Sequence, residues 1–223
     1  MREYKNQLMV KRISFIIFVH LLVVIAISAQ DKNTNSVKNA TQTKAINYGI
    51  VVDNSGSYRM IFTEILNSVN EIIEAHNPDD KAFLVRFVDS NKISLLQELT
   101  ASKTELSSAI EEMYIEGGQT AILDSVYFSA KYLAENAPNE NQKVLILVTD
   151  GEDRKSAAKI EDVIKFLKEQ KIQIFALGIS DEKIHKQLLE KLARESGGKS
   201  FPVEKRPELK NIVKELNVAV RSR

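Results

Sequence analysis

From Ala45 onward the chain alternates short β-type apolar runs with longer segments of helical spacing, and this alternation limits the folds open to it. Residues 46–52 (INYGIVV) form an apolar run that ends at Asp53. Residues 58–76 then place Ile61, Ile65, Val69, Ile72 and Ile73 at helical spacing. Residues 81–88 (KAFLVRFV) and 93–99 read as strands; residues 104–113 and 121–136 read as helices, the second stopping before Pro138. Residues 143–149 (KVLILVT) are almost unbroken apolar, the pattern of a central parallel strand covered on both faces. An amphipathic helix over 155–170, a strand over 172–179 and a helix over 182–196 follow, the last closed by Gly197-Gly198. A short strand over 199–203 and a final helix opened by Pro207 complete the pattern. Strands alternating with helices predict an α/β fold, a Rossmann-like open sheet with central parallel strands and helices on both faces. Residues 93–99 follow the preceding strand too closely for a crossover helix, so they are expected as one antiparallel edge strand.

The first 44 residues break this pattern. Arg2, Lys5, Lys11 and Arg12 precede an apolar run over 13–27 (ISFIIFVHLLVVIAI), and Ser28-Ala29 follow it. A basic start, a short apolar core and a small-residue exit predict a secretory signal peptide over 1–29. The alternative is an uncleaved N-terminal membrane anchor, although the run is short of the roughly 20 apolar residues a span needs. Both place the domain outside the cytoplasmic membrane: periplasmic, secreted, or anchored on its outer side. Residues 30–44 (QDKNTNSVKNATQTK) have little to bury and read as a flexible polar linker, so the folded domain is expected over 45–223.

The chain contains no cysteine, which excludes a disulfide framework, a thiolate zinc site, a cysteine nucleophile and a lipidated cysteine. A formal charge of +1 gives no general attraction to nucleic acid, and leaves the N-terminal anchor as the only route to a membrane. Of the histidines, His20 falls in the leader, while His76 and His185 lie in helical patterns and read as helix-surface residues.

In an open α/β sheet, ligands bind beyond the carboxyl ends of the strands. Asp53-Asn54-Ser55-Gly56-Ser57 follows the first strand, and Asp150-Gly151-Glu152-Asp153 follows the central one. Between them, Gly117-Gly118-Gln119-Thr120 leads into a helix. In an extended turn alternate residues point the same way, so Asp53, Ser55 and Ser57 can converge. With Thr120 and Asp150 they form an all-oxygen set suited to a hard divalent cation. Hydroxyls neutralise less charge than carboxylates, so a metal held this way stays open to an anionic oxygen from outside. Taken singly, each residue has a plainer role: Ser55, Ser57 or Thr120 as a helix cap, Asp150-Gly151 as a turn. Asp124 reads as a helix-terminal charge, and Glu152 and Asp153 as exposed loop charges.

Asp53-x-Ser55-x-Ser57, Thr120 and Asp150, set in IVVDNSGS, GGQTAILDSV, VLILVTDGED and IFALGIS, resemble the metal-ion-dependent adhesion site of von Willebrand factor A domains. The resemblance is to bacterial members and runs from about Ala45 to about Arg221, with Asn54 a small departure between ligand positions. It implies that family's fold, and Mg²⁺ as the metal with Mn²⁺ or Ca²⁺ as alternatives. It further implies a protein partner whose Asp or Glu carboxylate completes the coordination. The expected role is therefore adhesion or assembly, not catalysis. Two other readings stay open. One is Mg²⁺-dependent phosphoryl transfer with Asp53 as nucleophile, which needs a nearby lysine to steady the phosphoryl group. The other is a metal-free structural interaction domain.

Overall fold

Every residue of the first strand, β1 (Ile46–Asp53), is buried, which requires packing on both of its faces and a neighbour on each edge. The computed structural model describes residues 45–222 and supplies all of these. The strands are β1, β2 (Lys81–Phe87), β3 (Ile93–Thr100), β4 (Gln142–Thr149), β5 (Ile172–Gly178) and β6 (Lys199–Pro202). They form one six-stranded sheet in the order β3-β2-β1-β4-β5-β6. All neighbours pair in parallel except β2 and β3, whose antiparallel ladder carries register irregularities around Leu84. The expected α/β sheet with a single antiparallel edge strand is thus present.

Six helices cover the sheet: α1 (Phe62–Glu74), α2 (Lys103–Glu111), α3 (Ile122–Asn136), α4 (Ile160–Glu169), α5 (Lys186–Ser196) and α6 (Leu209–Arg221). The two-residue period of β1 divides them between the faces. Ile50 and Val52 point into a core with Ile65 and Val69 of α1, Ile110 of α2 and Val213 of α6. Val51 points the other way, into a core with Val126 of α3, Leu167 of α4 and Leu192 of α5. Gly49 shares the Val51 side of the strand, and the ring of Phe83 occupies the space its side chain would need. A Cβ there would lie 2.2 Å from Phe83 Cζ and 2.8 Å from Leu145 Cδ2. That close approach explains a glycine in the middle of a central strand.

The helix starts differ from the sequence-based expectation. A single 3₁₀ turn (Gly56–Tyr58) precedes α1, and the α-helix itself begins only at Phe62. The helix expected from 155 begins at Ile160, and the one expected from 182 begins at Lys186. The reason lies in where the backbone donors go. The Arg154 and Lys155 N–H groups donate to the Thr120 carbonyl at 2.9 and 3.1 Å. The Ala157 and Ala158 N–H groups donate to the Asp124 carboxylate at 2.9 and 2.7 Å. These tertiary partners hold the backbone out of helical geometry until Lys159, which is still extended. At α5, the His185 N–H donates to the Asp150 carbonyl at 2.7 Å, fixing the chain just before the helix. Its C-terminus follows the sequence signal: Gly197 takes the left-handed conformation at φ 81°.

His76 is a correction to the helix-surface reading. It follows α1, is 4 % exposed, and its Nδ1 lies 2.9 Å from the Tyr48 hydroxyl. The amphipathic pattern ends before it, so periodicity carries no information about its side.

Candidate metal centre

β1 and β4 are parallel neighbours whose ends lie level, with Val52 opposite Val148. Beyond that level the chain leaves in opposite directions. After β1 it passes to α1 on one face, and after β4 to α4 on the other. A crevice opens where neighbouring strands send their connections apart, and Asp53 and Asp150 stand at the strand ends that border it.

Asp53 is 0 % exposed and lies at the floor. One of its oxygens accepts from the Ser55 N–H at 3.0 Å, and the other from the Thr149 hydroxyl at 2.8 Å. The Ser55 and Ser57 hydroxyls lie 3.0 Å apart, so both face the same space. Ser55 is buried and Ser57 exposed, which sets a direction from the floor to solvent. Asp150 is 6 % exposed, and one oxygen accepts from the Glu152 N–H at 2.9 Å. Thr120, also 6 % exposed, is placed by backbone bonds: its carbonyl takes the Arg154 and Lys155 N–H groups, and the next residue, Ala121, donates to the Val88 carbonyl. The fold therefore links Asp53, Ser55, Ser57 and Asp150 through their immediate contacts, and pins Thr120 to the loop that carries Asp150.

The capping alternatives meet a specific answer. Ser55 precedes the 3₁₀ turn but its side chain makes no capping bond. Ala121, not Thr120, is the residue at the start of α3, and it too provides no side-chain cap. The first turn of α3 is capped from the loop after β4 instead. Asp153 accepts the Ile122 N–H at 2.7 Å, and the Ser156 hydroxyl accepts the Leu123 N–H at 2.9 Å. Asp153 is thus a helix cap supplied from a distance, where the sequence suggested a loop charge. Asp124 similarly spans three segments, accepting from the Ser90 hydroxyl as well as from Ala157 and Ala158. Burial alone would raise its carboxyl, but these donors outweigh that and hold it below its ordinary value.

Burial dominates the electrostatics of both carboxylates. Burial pushes the Asp53 carboxyl up to about 7, and the charge of Asp150 adds to the rise. The hydrogen bonds from Ser55 and Thr149 work against it and lose. Burial raises Asp150 as well, against the opposing effect of the Glu152 N–H and the Ser57 hydroxyl. Arg154 is committed elsewhere, pairing with Glu152 at 2.5 Å, and His185 Nε2 lies 3.9 Å from the same carboxylate. The Tyr58 hydroxyl is fully buried near both aspartates and close to Thr149, and burial together with their charges raises it well above its ordinary value. Two buried carboxylates side by side are costly to ionise together unless a positive charge offsets them. Among the described residues no group of three or more His, Cys, Asp or Glu converges, so a cation here would draw on hydroxyls as well as carboxylates. Two carboxylates and three hydroxyls are hard oxygen donors and fit a small divalent ion.

The sequence profile of the von Willebrand factor type A domain matches residues 49–215. The chain belongs to this family. No curated protein sequence matches it. Among solved structures, an aerotolerance-related membrane protein from Bacteroides fragilis is similar at 16 % identity and a TM-score of 0.60, over 77 % of this chain and 98 % of that one. A von Willebrand factor type A protein from Catenulispora acidiphila has 17 % identity and a TM-score of 0.66, over 79 % of this chain and 43 % of that one. Proximal thread matrix protein 1 from the mussel byssus, solved with a zinc-occupied MIDAS motif, has 23 % identity and a TM-score of 0.66, over 80 % of this chain and 46 % of that one. At such identities the likeness is one of fold.

Four residues of the site were not singled out by sequence reasoning. Thr149 orients Asp53, and its only sequence signal is its place before Asp150. Asn54, treated as a bystander, is 0 % exposed. Its backbone joins Phe87 and Glu116, and its side chain donates to the Tyr114 carbonyl at 2.9 Å. Tyr58 is fully buried beneath the site, and nothing in a helical pattern distinguishes it from any other core aromatic. His185 keeps a surface-exposed side chain, but its backbone N–H donates to the Asp150 carbonyl.

Proposed function

We propose that this domain is a metal-dependent protein-binding module. Asp53, Ser55, Ser57, Thr120 and Asp150 would hold a divalent cation, Mg²⁺ first and Mn²⁺ or Ca²⁺ as alternatives. The cation supplies positive charge with open coordination for an Asp or Glu carboxylate of a partner protein. The observation that carries this reading is the Asp53–Asp150 pair, buried without an ion-pair partner among the described residues and reached from solvent past the exposed Ser57 hydroxyl. Ser57 is the exposed member of the set, so the incoming acidic side chain arrives from its side.

Each alternative meets an obstacle. Phosphoryl transfer needs an accessible nucleophile, whereas Asp53 is 0 % exposed and both of its oxygens already accept hydrogen bonds. A metal-free interaction module would leave two adjacent buried carboxylates with hydrogen bonds but no cation, which burial pushes toward protonation. We therefore read the domain as a non-catalytic grip used in adhesion or assembly.

The setting follows from the N-terminal reading. The leader over 1–29, as signal peptide or anchor, and the linker over 30–44 lie outside the described residues. Such a leader would place the domain over 45–223 in the periplasm, in the medium, or on the outer side of the cytoplasmic membrane. Among the described residues no helix is long and apolar enough to cross a membrane.

The test is a pull-down from the native envelope with Mg²⁺ and with EDTA, beside a calorimetric Mg²⁺ titration. Expected are bands captured only with metal and lost in a Ser55→Ala/Ser57→Ala double variant that remains folded. Capture of the same bands by that variant in EDTA would refute the reading.

A further inference from the structure

Two of the segments that leave the candidate metal centre run on side by side over one face of the sheet. Thr120 is followed by α3, and Asp150 by the loop that leads into α4. Hydrogen bonds stitch the two together. The Thr120 carbonyl takes the Arg154 and Lys155 N–H groups, and one turn further along the Asp124 carboxylate takes those of Ala157 and Ala158. Beyond these bonds lies a groove of about 480 Å³, bordered by Tyr127 of α3 on one side and by the start of α4 on the other. The Tyr127 ring meets that of Phe166 edge to face, with centroids 5.2 Å apart.

The chemistry of the groove points to an apolar occupant. Tyr127, Ala158, Val163 and Phe166 supply apolar surface. Two lysines, Lys159 and Lys165, and two acids, Asp162 and Glu169, stand around it, so its charges balance and no net charge draws an ion in. Tyr127 is 41 % exposed, yet its ring is braced by Phe166. A braced aromatic loses little side-chain freedom when it is covered, and covering it removes apolar surface from water. The groove also continues the surface around the metal centre. Tyr127 lies seven residues beyond Thr120, about 10 Å at the rise of a helix. An extended peptide covers that distance in about three residues.

We propose that this groove receives an apolar side chain of the partner protein, so that the recognised segment is an acidic residue with a leucine or phenylalanine about three positions away. This rests on the reading of the neighbouring centre as a metal grip. The acidic residue completes the metal, and the apolar one is buried between Tyr127 and the start of α4. Both walls descend from segments that carry metal ligands and are tied together by Thr120 and Asp124, so the distance from metal to groove is fixed. The pair then selects by spacing. A lone acidic residue satisfies only the metal, while a correctly spaced acidic and apolar pair satisfies both.

The test uses the full chain and synthetic peptides of a Gly-Ser background. One peptide carries a single aspartate, and a set adds a leucine stepped outward from it in either direction. Binding is measured by fluorescence anisotropy in Mg²⁺ and in EDTA. At the best spacing the leucine peptide should bind about tenfold tighter than the aspartate peptide. The advantage should fall toward unity in Tyr127→Ser, which removes one wall, and in Ala158→Phe, which fills the groove. Both variants should bind the single-aspartate peptide as the parent does. The advantage should persist in Val218→Ser, which removes an exposed apolar residue of α6 on the other face of the sheet. Metal-dependent binding with no gain from leucine at any spacing overturns the groove proposal and leaves the metal grip standing. So does a gain that survives in both Tyr127→Ser and Ala158→Phe. A dimer of the parent in sedimentation that Tyr127→Ser abolishes would assign the groove to a second copy of the chain and overturn the proposal as well. Binding that is indifferent to EDTA overturns both readings.

Discussion

At Asp53 two demands meet. The fold buries the carboxylate completely, whereas the proposed cation would need it ionised. In the metal-free protein burial wins, and its carboxyl stands at about 7 against an ordinary 3.8. A carboxyl raised on folding adds stability that is fully present below about pH 4 and lost as pH rises through about 7. The metal-free domain should therefore lose up to about 4 kcal/mol from this group between those limits, read as a falling urea midpoint. Proton and metal compete for the same oxygens, so Mg²⁺ affinity should fall up to about tenfold for each pH unit below about 7 in calorimetric titrations. Asp53→Asn removes the conflict. That variant should be more stable than the metal-free parent at about pH 8 by about 1–4 kcal/mol, and should gain nothing from added metal.

Between elements, the contacts that matter most are made by loops. Asp124 accepts from Ser90 after β2 and from Ala157 and Ala158 before α4, so one side chain of α3 fixes both neighbouring connections. Asp124→Ala should cost about 1–3 kcal/mol and weaken metal binding through the loop that carries Asp150. The amides of residues 154–158 should then exchange faster with solvent. Within the sheet, Gly49→Ala would drive a methyl into the Phe83 ring and cost about 1–3 kcal/mol by overpacking, measured by chemical denaturation. These elements also mark where sequence reading stops. β4 is legible because a strand covered on both faces must be apolar throughout. The start of α4 is not, because residues 155–159 carry a helical pattern that Thr120 and Asp124, over thirty residues away, override by taking their N–H groups.

For the whole molecule, metal binding and folding are linked. Asp53, Asp150 and the hydroxyls converge only when β1 and β4 pair in register, so the unfolded chain offers a cation no equivalent site. Mg²⁺ at about a hundredfold its dissociation constant should stabilise the domain by about 2.7 kcal/mol, about 5–10 °C in melting temperature for a domain of this size. Scanning calorimetry with Mg²⁺ and with EDTA measures the shift, and the same comparison on Ser55→Ala should show a smaller one.

The sequence by itself determined the strand–helix order, the antiparallel edge strand, and the placing of Asp53 and Asp150 at the carboxyl ends of their strands. These are local properties: periodicity of apolar residues, loop length, and side-chain chemistry next to a strand. The tertiary structure decided what depends on residues far apart in the chain. Parallel pairing of β1 with β4 set Asp53 beside Thr149. Packing buried Asp53 while leaving Ser57 at the surface. Long-range hydrogen bonds turned Asp124 and Asp153 from apparent loop and helix-end charges into the fastenings of the site. They also brought the backbone of His185 against Asp150. A residue's burial and partners are fixed by which surfaces meet across the sheet, and no local pattern along the chain encodes that meeting.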